Sequence, residues 1–340
     1  MIPAIQLPGK HKALGFIEPD DVLCISIIVT SRCNLKCSYC HFFGNLPQNL
    51  RNRDIQDAVF DRYLDIIEYV KSTLHRNIRI RFSGGEPLAL GSRLFHLSSK
   101  VFSRLGERVF VLTNGTMIDR DVTRRAVDNG ISAFVISVEN PFDVDVGSAD
   151  PHSIIGKISE LSEPTLQLVP GIVIVRNHMF SKLTEIADYF FSRLREIPTL
   201  SELSFSSFRS PSKKQLQHLE EGIGAIIEKY VGKTPLELFP YVVPELAFCY
   251  NNKYLLEFGI TVNDDSFYHN PMDACLSSMQ RQLESGYPLS NCVNTACEWY
   301  GSCHRIKWVW ADKMNDYCAM KHAICGGCYN ALVRNHALAT

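Results

Sequence analysis

Three cysteines near the start of the chain have the spacing of metal ligands. Cys33, Cys37 and Cys40 are separated by three residues and then by two, so their thiolates can surround one face of a single metal centre. A structural zinc or iron–sulfur site is closed by four protein ligands, whereas a site that performs chemistry keeps one position open. Three ligands therefore favour a catalytic cluster, and a zinc site with its fourth ligand elsewhere is the alternative.

A second candidate is the stretch Ser83-Gly84-Gly85-Glu86-Pro87, which follows a short apolar run. Adjacent glycines allow a backbone to approach a ligand closely. A glutamate at the end of a strand can accept hydrogen bonds from an ammonium group. A tight turn with a solvated carboxylate is the alternative interpretation.

Eight further cysteines are concentrated in the last third of the chain, after a long stretch without any. They suit two more four-ligand sites, for iron–sulfur clusters or for zinc, or a mixture of ligands and free thiols. We find no export signal and no apolar run long enough to span a membrane, so we expect metal binding in the cytoplasm rather than disulfides. These residues are Cys249, Cys275, Cys292, Cys297, Cys303, Cys318, Cys325 and Cys328.

The motifs lie among apolar segments of two kinds. Six short runs rich in β-branched residues predict strands, at residues 22–29, 78–82, 109–112, 133–138, 171–175 and 203–208. Amphipathic patterns predict helices, at residues 53–74, 94–105, 121–129, 154–161, 183–194 and 215–230. Strands that alternate with helices predict parallel βα units.

The carboxyl ends of parallel strands meet at one edge of a sheet, where α/β proteins carry their sites. We expect the cysteine loop and the Gly-Gly-Glu stretch to meet there with polar residues at the ends of the later strands. These are Asn114, Ser137, Glu139, Arg176 and Asn177. Right-handed crossovers would curl the units into a partial (β/α)6 TIM-like barrel, and a flat, doubly wound sheet is the alternative.

Composition divides the chain into three regions. We expect an irregular lead-in over residues 1–20, a barrel core over residues 21–234 and a cysteine-rich C-terminal iron–sulfur module over residues 235–340. Hydrophobic residues make up 46% of the chain, charged residues 21%, and the formal net charge is −1. This balance gives no general affinity for nucleic acid or for an acidic membrane, so neither is an expected partner.

A three-cysteine motif after the first strand, followed by Gly-Gly-Glu-Pro after the second, resembles the radical S-adenosylmethionine enzyme superfamily. The resemblance covers about residues 20–210. It implies that Cys33, Cys37 and Cys40 hold a [4Fe–4S] cluster whose open iron is chelated by the amino and carboxylate groups of S-adenosylmethionine. One electron from the reduced cluster would split the sulfonium into methionine and a 5′-deoxyadenosyl radical, which removes a hydrogen atom from the substrate.

The same resemblance implies which residues bind S-adenosylmethionine. Tyr39 matches an aromatic residue that contacts adenine, whereas Gly84, Gly85 and Glu86 match the contact to the methionine ammonium group. The remaining positions match contacts to ribose or carboxylate or line the cavity, with ordinary loop capping as the alternative. These are Asn114, Ser137, Glu139 and Arg176. The sequence marks no residue as the catalytic acid or base.

After such a core, the late cysteines resemble the SPASM extension, whose auxiliary [4Fe–4S] clusters would number two here, or one. Four residues rather than two separate Cys292 from Cys297, and Asp265-Ser266 stands where a glycine is expected before Cys275. The ligand sets therefore stay open. One grouping is Cys292, Cys297, Cys303 and Cys318 around one cluster, with Cys249, Cys275, Cys325 and Cys328 around the other.

Family members of this layout mostly modify ribosomally made peptides, by crosslinking, epimerisation or oxidation. Peptide modification is therefore the leading hypothesis, with a flavodoxin or ferredoxin as electron donor. Because only 32 residues precede Cys33, we expect any leader-binding protein to be separate. The alternatives are dehydrogenation of a small-molecule alcohol such as an aminocyclitol, and a non-catalytic iron–sulfur electron carrier. The Gly-Gly-Glu stretch argues against the carrier, which has no use for an ammonium-binding loop.

Overall fold

A computed structural model describes most of the first two thirds of the chain and short segments beyond. The described residues are 22–38, 40, 52–74, 77–161, 166–194, 199–202, 211–230, 245–248, 255–257 and 260–262, with Ala319, Ala323, Gly326, Gly327, Asn330 and Ala331.

The described strands form one sheet. In chain order they are β1 (Val22–Thr30), β2 (Asn77–Gly84), β3 (Val109–Thr113), β4 (Ile131–Glu139), β5 (Gln167–Val175), β6 (Thr199–Glu202), β7 (Glu245–Phe248), β8 (Leu255–Glu257) and β9 (Ile260–Val262). Their order across the sheet is β6-β5-β4-β3-β2-β1-β7-β8-β9. Strands β1 to β7 pair in parallel, and β8 and β9 are antiparallel.

Helices connect the strands. They are α1 (Asp57–Leu74), α2 (Ser92–Leu105), α3 (Arg120–Asp128), α4 (Pro151–Leu161), α5 (Leu183–Leu194) and α6 (Lys213–Tyr230), with short 3₁₀ helices at Pro87–Leu90 and Asn177–Lys182. Because β1 to β6 lie side by side in chain order, every crossover steps in the same direction, as in a barrel. A doubly wound sheet would reverse direction at a switch point. The predicted α/β barrel-type fold is confirmed.

The two faces of the sheet differ in character. On β1 and β2, alternate side chains such as Ile27 and Phe82 are fully buried, and Phe82 meets Phe60 of α1 with ring centroids 5.9 Å apart. The intervening positions are polar: Ser26 Oγ lies 3.0 Å from Ser83 Oγ and accepts a hydrogen bond from Arg81 Nε at 3.1 Å. The helices therefore cover the apolar face of β1 and β2, and the opposite face of these two strands carries polar side chains among others.

One predicted element differs in position from the one described. The sixth strand is Thr199–Glu202, earlier than predicted, and residues 203–208 lie outside the described residues. Strands β8 and β9 pair as an antiparallel hairpin. Strands β7 to β9 join the barrel sheet although they follow residue 235. The eight late cysteines lie outside the described residues.

Candidate cofactor site

The predicted site residues converge at the carboxyl edge of the parallel strands. The cysteine loop, residues 31–40, follows β1, and the Gly-Gly-Glu stretch ends β2. Asn114 follows β3, Glu139 ends β4 and Arg176 follows β5. Because all five strands point the same way, side chains from five separate stretches of sequence share one edge.

The three cysteines are free and half-buried. Burial raises the pKa of the Cys33 thiol, and it raises that of Cys37 to about 12, with further contributions from the Glu139, Cys40 and Cys33 charges. Among the described residues, no three Cys, His, Asp or Glu side chains converge on one point as ligands of a single ion. In a [4Fe–4S] cluster each thiolate binds a different iron. Three thiols on one loop that do not converge on a single point therefore fit an iron–sulfur cluster.

The two glycines allow β2 to pack against the cysteine loop. A Cβ on Gly84 would lie 2.1 Å from Thr30 O, and one on Gly85 would lie 2.2 Å from Arg32 O. The Gly85 amide donates to Thr30 O at 2.9 Å, and Glu86 N donates to Arg32 O at 2.6 Å. These glycines were predicted to admit a ligand. The structure shows that they also admit the backbone of the cysteine loop.

Glu86 is completely buried and joins the ends of two strands. Its Oε1 accepts hydrogen bonds from Leu88 N at 2.9 Å and from Thr113 Oγ1 at 2.8 Å, and its Oε2 accepts one from Asn114 N at 2.8 Å. Burial raises the pKa of this carboxyl, and the three donors oppose the rise. Glu86 therefore has a structural role between β2 and β3, and its contact to an ammonium group stays a prediction.

Asn114 contacts the first cysteine. Its Nδ2 lies 3.9 Å from Cys33 Sγ and donates to Asn34 Oδ1 at 2.9 Å. The Leu35 amide also points at Cys33 Sγ, at 3.4 Å. Hydrogen bonds to a sulfur stabilise its thiolate form, so Asn114 and Leu35 favour the state in which Cys33 can bind iron.

The end of β4 carries a nearly buried carboxylate. Glu139 is 4% exposed, and burial raises its pKa to about 7 against the opposing charge of Arg176. Ser137, two residues earlier, is partly exposed. Asn140 was not predicted as a site residue: it is fully buried, and its Nδ2 finds no acceptor within the described part of the chain. A buried donor of this kind is available to a ligand, and its place directly after a strand end was the signal in the sequence.

Asp145 is a second residue that sequence reasoning missed. It accepts hydrogen bonds from Ser38 N at 2.8 Å and from the Ser38 hydroxyl. Burial raises the pKa of the Asp145 carboxyl, but the bonds from Ser38 and Gly147 and the Arg176 charge outweigh it, so the pKa lies below its usual range. No local sequence signal identifies this residue, because its partners are far away in the chain.

Arg176 is held by two aspartates. Its Nη1 lies 2.7 Å from Asp143 Oδ2 and donates to Asp143 O at 2.7 Å, and its Nη2 lies 3.4 Å from Asp145 Oδ1. The Arg176 side chain is 12% exposed, so this guanidinium supports the loop after β4. Its predicted contact to S-adenosylmethionine stays a prediction.

Several predicted site residues cannot be placed. Tyr39 and the eight late cysteines lie outside the described residues. Over the part of the chain that the structure covers, no helix combines the length and apolarity needed to cross a membrane.

Comparison with known proteins gives a family match over part of the chain. The Radical SAM superfamily matches residues 27–159. An uncharacterized protein of Methanocaldococcus jannaschii is 23% identical over 153 residues, which cover 44% of this chain and 47% of that protein. GTP 3′,8-cyclase of Clostridium botulinum is 29% identical over 34% of each chain. The aligned region thus spans less than half of the length of these relatives.

Solved structures share the fold over more of the chain. Native anSMEcpe with bound AdoMet superposes with a TM-score of 0.64 at 14% identity, covering 94% of this chain and 100% of that one. Streptococcus suis SuiB superposes with a TM-score of 0.55 at 14% identity, covering 84% of this chain and 72% of that one. At such low identity, these matches show the fold alone.

Proposed function

We propose that this chain is a radical S-adenosylmethionine enzyme. The observation that carries the proposal is the cysteine loop: three free, half-buried thiols at the carboxyl edge, held by hydrogen bonds to the ends of β2 and β3. The superfamily match covers this same region. Support also comes from anSMEcpe, a protein of the same fold that holds AdoMet.

The residues at this edge of the sheet would have separate roles. Cys33, Cys37 and Cys40 would hold a [4Fe–4S] cluster, and Asn114 and Leu35 favour the thiolate of the first. A reduced cluster bound by these three cysteines would supply the one electron needed for the reductive cleavage of S-adenosylmethionine to methionine and a 5′-deoxyadenosyl radical. The other residues that we propose to contact S-adenosylmethionine, apart from Tyr39, lie at or near the carboxyl ends of β2, β4 and β5. They are Gly84, Gly85, Glu86, Ser137, Glu139 and Arg176.

The buried edge suits such chemistry. Glu86 and Asn140 are inaccessible to solvent, and Glu139 nearly so, so water is excluded from these three side chains, whereas the half-buried cysteines can be reached by a cofactor. A radical that is protected from water reacts with the bound substrate rather than with solvent. The late cysteines would hold one or two auxiliary clusters in a SPASM-like module, and the donor would be a flavodoxin or ferredoxin in the cytoplasm.

A ribosomally made peptide is the substrate class that we propose first. The support is a shared fold with anSMEcpe, which has been solved with AdoMet and the Cp18Cys peptide, at a TM-score of 0.60. A small molecule is the second candidate, because GTP 3′,8-cyclase and a nucleotide dehydratase of Pseudoalteromonas ulvae match by sequence, each at 29% identity. A short precursor peptide encoded beside this gene would favour the first class, and sugar or cyclitol genes would favour an alcohol dehydrogenase.

Product formation tests the proposed chemistry. Anaerobically reconstituted protein with dithionite and S-adenosylmethionine should yield 5′-deoxyadenosine, measured by chromatography. The triple variant C33A/C37A/C40A should lose the product and about four iron atoms per chain, while the iron bound by the late cysteines stays.

Cys24→Ala is the matched control, since Cys24 lies in β1 outside the motif, and it should keep both product and iron. A fully loaded wild-type protein that forms no 5′-deoxyadenosine would contradict the proposed function. Loss of all iron in the triple variant would contradict the auxiliary clusters.

A further inference from the structure

The loop that follows β4, residues 140–149 (the β4 loop), lies directly against the middle of the cysteine loop. Gly147 O accepts a hydrogen bond from Lys36 N at 2.9 Å and one from Cys37 Sγ at 3.8 Å. Asp145 Oδ2 accepts one from Ser38 N at 2.8 Å, and Asp145 Oδ1 accepts one from the Ser38 hydroxyl. Two residues of the β4 loop therefore hold three consecutive residues of the cysteine loop.

The contact at Gly147 leaves no space for a side chain. A Cβ at this position would lie 2.0 Å from Lys36 O and 3.1 Å from Cys37 N. Gly147 does not have a positive φ, so its backbone conformation does not by itself require glycine at this position. Both obstructing atoms belong to the backbone, and the clash could be relieved only by separating the two loops.

The β4 loop is itself firmly attached. Arg176, at the end of β5, binds Asp143 and Asp145, whose side chains are 22% and 10% exposed. Ser148 Oγ donates to Asp145 O at 2.8 Å, and Gly147 N donates to Asp145 Oδ2 at 3.2 Å. The carboxylate that holds Ser38 is therefore fixed in direction by its own loop and by the neighbouring strand.

The side chains of the β4 loop alternate between two directions. Asp143 and Asp145 are directed to Arg176 and the cysteine loop, whereas the residues between and beside them are apolar and exposed. These are Phe142 at 46%, Val144 at 44% and Val146 at 106%. Asp145 and Gly147 therefore contact the cysteine loop while these apolar side chains face away from it.

We propose that Asp145 and Gly147 are positioning residues for the iron–sulfur cluster, which act through the cysteine loop and are not ligands. Asn114 and the Leu35 amide contact Cys33 at the first part of this loop. The β4 loop fixes the backbone on both sides of Cys37 through Lys36 N and Ser38, and these bonds persist when the Cys37 thiol loses its proton, and with it the bond to Gly147 O, to bind iron. Groups that orient metal ligands commonly change metal affinity by about 10- to 100-fold when they are removed. The inference rests on the proposed cluster at Cys33, Cys37 and Cys40.

Iron release tests the proposal. Full-length Asp145→Ala and Gly147→Ala proteins are reconstituted anaerobically, and bathophenanthroline absorbance then reports ferrous iron as it leaves. The iron of the C33A/C37A/C40A protein is subtracted, so that only iron held by the three cysteines is followed. Both variants should release this iron about tenfold faster than wild type. The electron paramagnetic resonance spectrum of the reduced cluster should also change, because the Cys37 sulfur has a new orientation.

Two further variants separate positioning from general stability. Asp145→Asn keeps an oxygen that can accept from Ser38 N, so its release rate should lie between those of wild type and Asp145→Ala. Asp150→Asn is the matched control, because Asp150 accepts from His152 N and Ser153 N at the start of α4 and asparagine caps a helix equally well. Its iron should behave as in wild type.

The outcomes are distinct. Wild-type rates and spectra in Asp145→Ala, Asp145→Asn and Gly147→Ala, with iron present that depends on the three cysteines, would overturn the positioning role and leave the proposed function intact. Absence of such iron from wild type would overturn both. If Asp145→Ala fails to fold, the comparison of Asp145→Asn with Asp150→Asn decides.

Discussion

At the scale of single residues, the Gly-Gly-Glu stretch combines two requirements. The sequence motif predicts a place where the backbone approaches a ligand. In the structure, the carbonyl oxygens of Thr30, at the end of β1, and of Arg32, in the cysteine loop, leave no room for a Cβ on Gly84 and Gly85. Glu86 then accepts three hydrogen bonds from the chain. This stretch would hold the cluster loop in place even before any cofactor binds.

Gly85→Ala should destabilise the protein and displace the cysteine loop. The new Cβ would lie 2.2 Å from Arg32 O, and relieving such an overlap costs about 1–3 kcal/mol. Thermal unfolding should show a lower midpoint, and reconstitution should load less iron at the three cysteines.

Gly156→Ala provides the matched comparison. Gly156 lies inside α4, and a Cβ there would meet nothing within 4 Å. Alanine in a helix interior is favoured over glycine by about 1 kcal/mol, so the unfolding midpoint should rise and iron loading should stay unchanged. Equal effects of both substitutions would show that the contact to Arg32 does not matter.

At the scale of elements, α6 packs against α5 through apolar side chains and through a polar cluster of Asp188, Lys229 and Tyr230. Asp188 of α5 lies 2.7 Å from Lys229 Nζ and accepts a hydrogen bond from the Tyr230 hydroxyl. The Tyr230 ring packs on Phe191 with centroids 4.8 Å apart. Helix α6 follows the last barrel strand, so this contact closes the helical layer at the β6 end of the sheet.

The Asp188–Tyr230 contact predicts how stability depends on pH. Burial raises the pKa of Asp188, but Lys229 and Tyr230 outweigh it and bring the pKa below its usual range. The Asp188 carboxylate therefore stabilises the folded protein at pH values above its pKa in the unfolded chain. This stabilisation is lost as the pH falls through the lower pKa that Asp188 has in the folded protein. Burial and Asp188 raise the pKa of Tyr230 to about 12. The Tyr230 hydroxyl therefore stabilises the folded protein at pH values below the pKa of about 10 that tyrosine has in the unfolded chain. This stabilisation is lost as the pH rises through the higher pKa of Tyr230 in the folded protein.

Tyr230→Phe should lower stability by about 1 kcal/mol at neutral pH, because the ring is retained and one hydrogen bond is lost. Thermal midpoints of the two proteins should differ most between about pH 5 and 9 and should converge outside that range. Asp188→Asn should give a similarly flattened profile. A constant difference from acid to alkaline pH would contradict the role of this cluster.

At the scale of the whole molecule, one sheet runs from the barrel strands into strands that follow residue 235. Strand β7 pairs with β1 from Cys24↔Glu245 to Ile27↔Phe248, and β8 and β9 continue outward. The strand that precedes the cysteine loop is therefore interior to the sheet, bonded on both sides. Such placement limits the motion of the loop that follows it.

Backbone amides should exchange hydrogen more slowly in the interior strands than in the edge strands of this sheet. Amides of β1 to β4 are enclosed by neighbours on both sides and should exchange slowest, whereas the edge strands β6 and β9 should exchange fastest. Peptide-resolved mass spectrometry of the full-length protein measures this directly. Exchange in β1 as fast as in β9 would show that β7 does not pair with β1 in solution.

The sequence by itself determined the barrel architecture and the three-cysteine loop. The βα alternation and the ligand spacing are local patterns, since each depends on residues a few positions apart. Five of the six barrel strands and all six predicted helices overlap those described. The positions of Asn114, Glu139 and Arg176 at one edge followed from parallel strand direction alone.

Only the tertiary structure decided what surrounds the cysteines. The bond from Ser38 to Asp145 joins residues 107 positions apart, and that from Cys37 to Gly147 joins residues 110 positions apart. No local period encodes such pairs, because the partner is chosen by which loops the sheet brings together. For the same reason Glu86 could be identified as a strand-end carboxylate, but its burial beneath Thr113 and Asn114 could not.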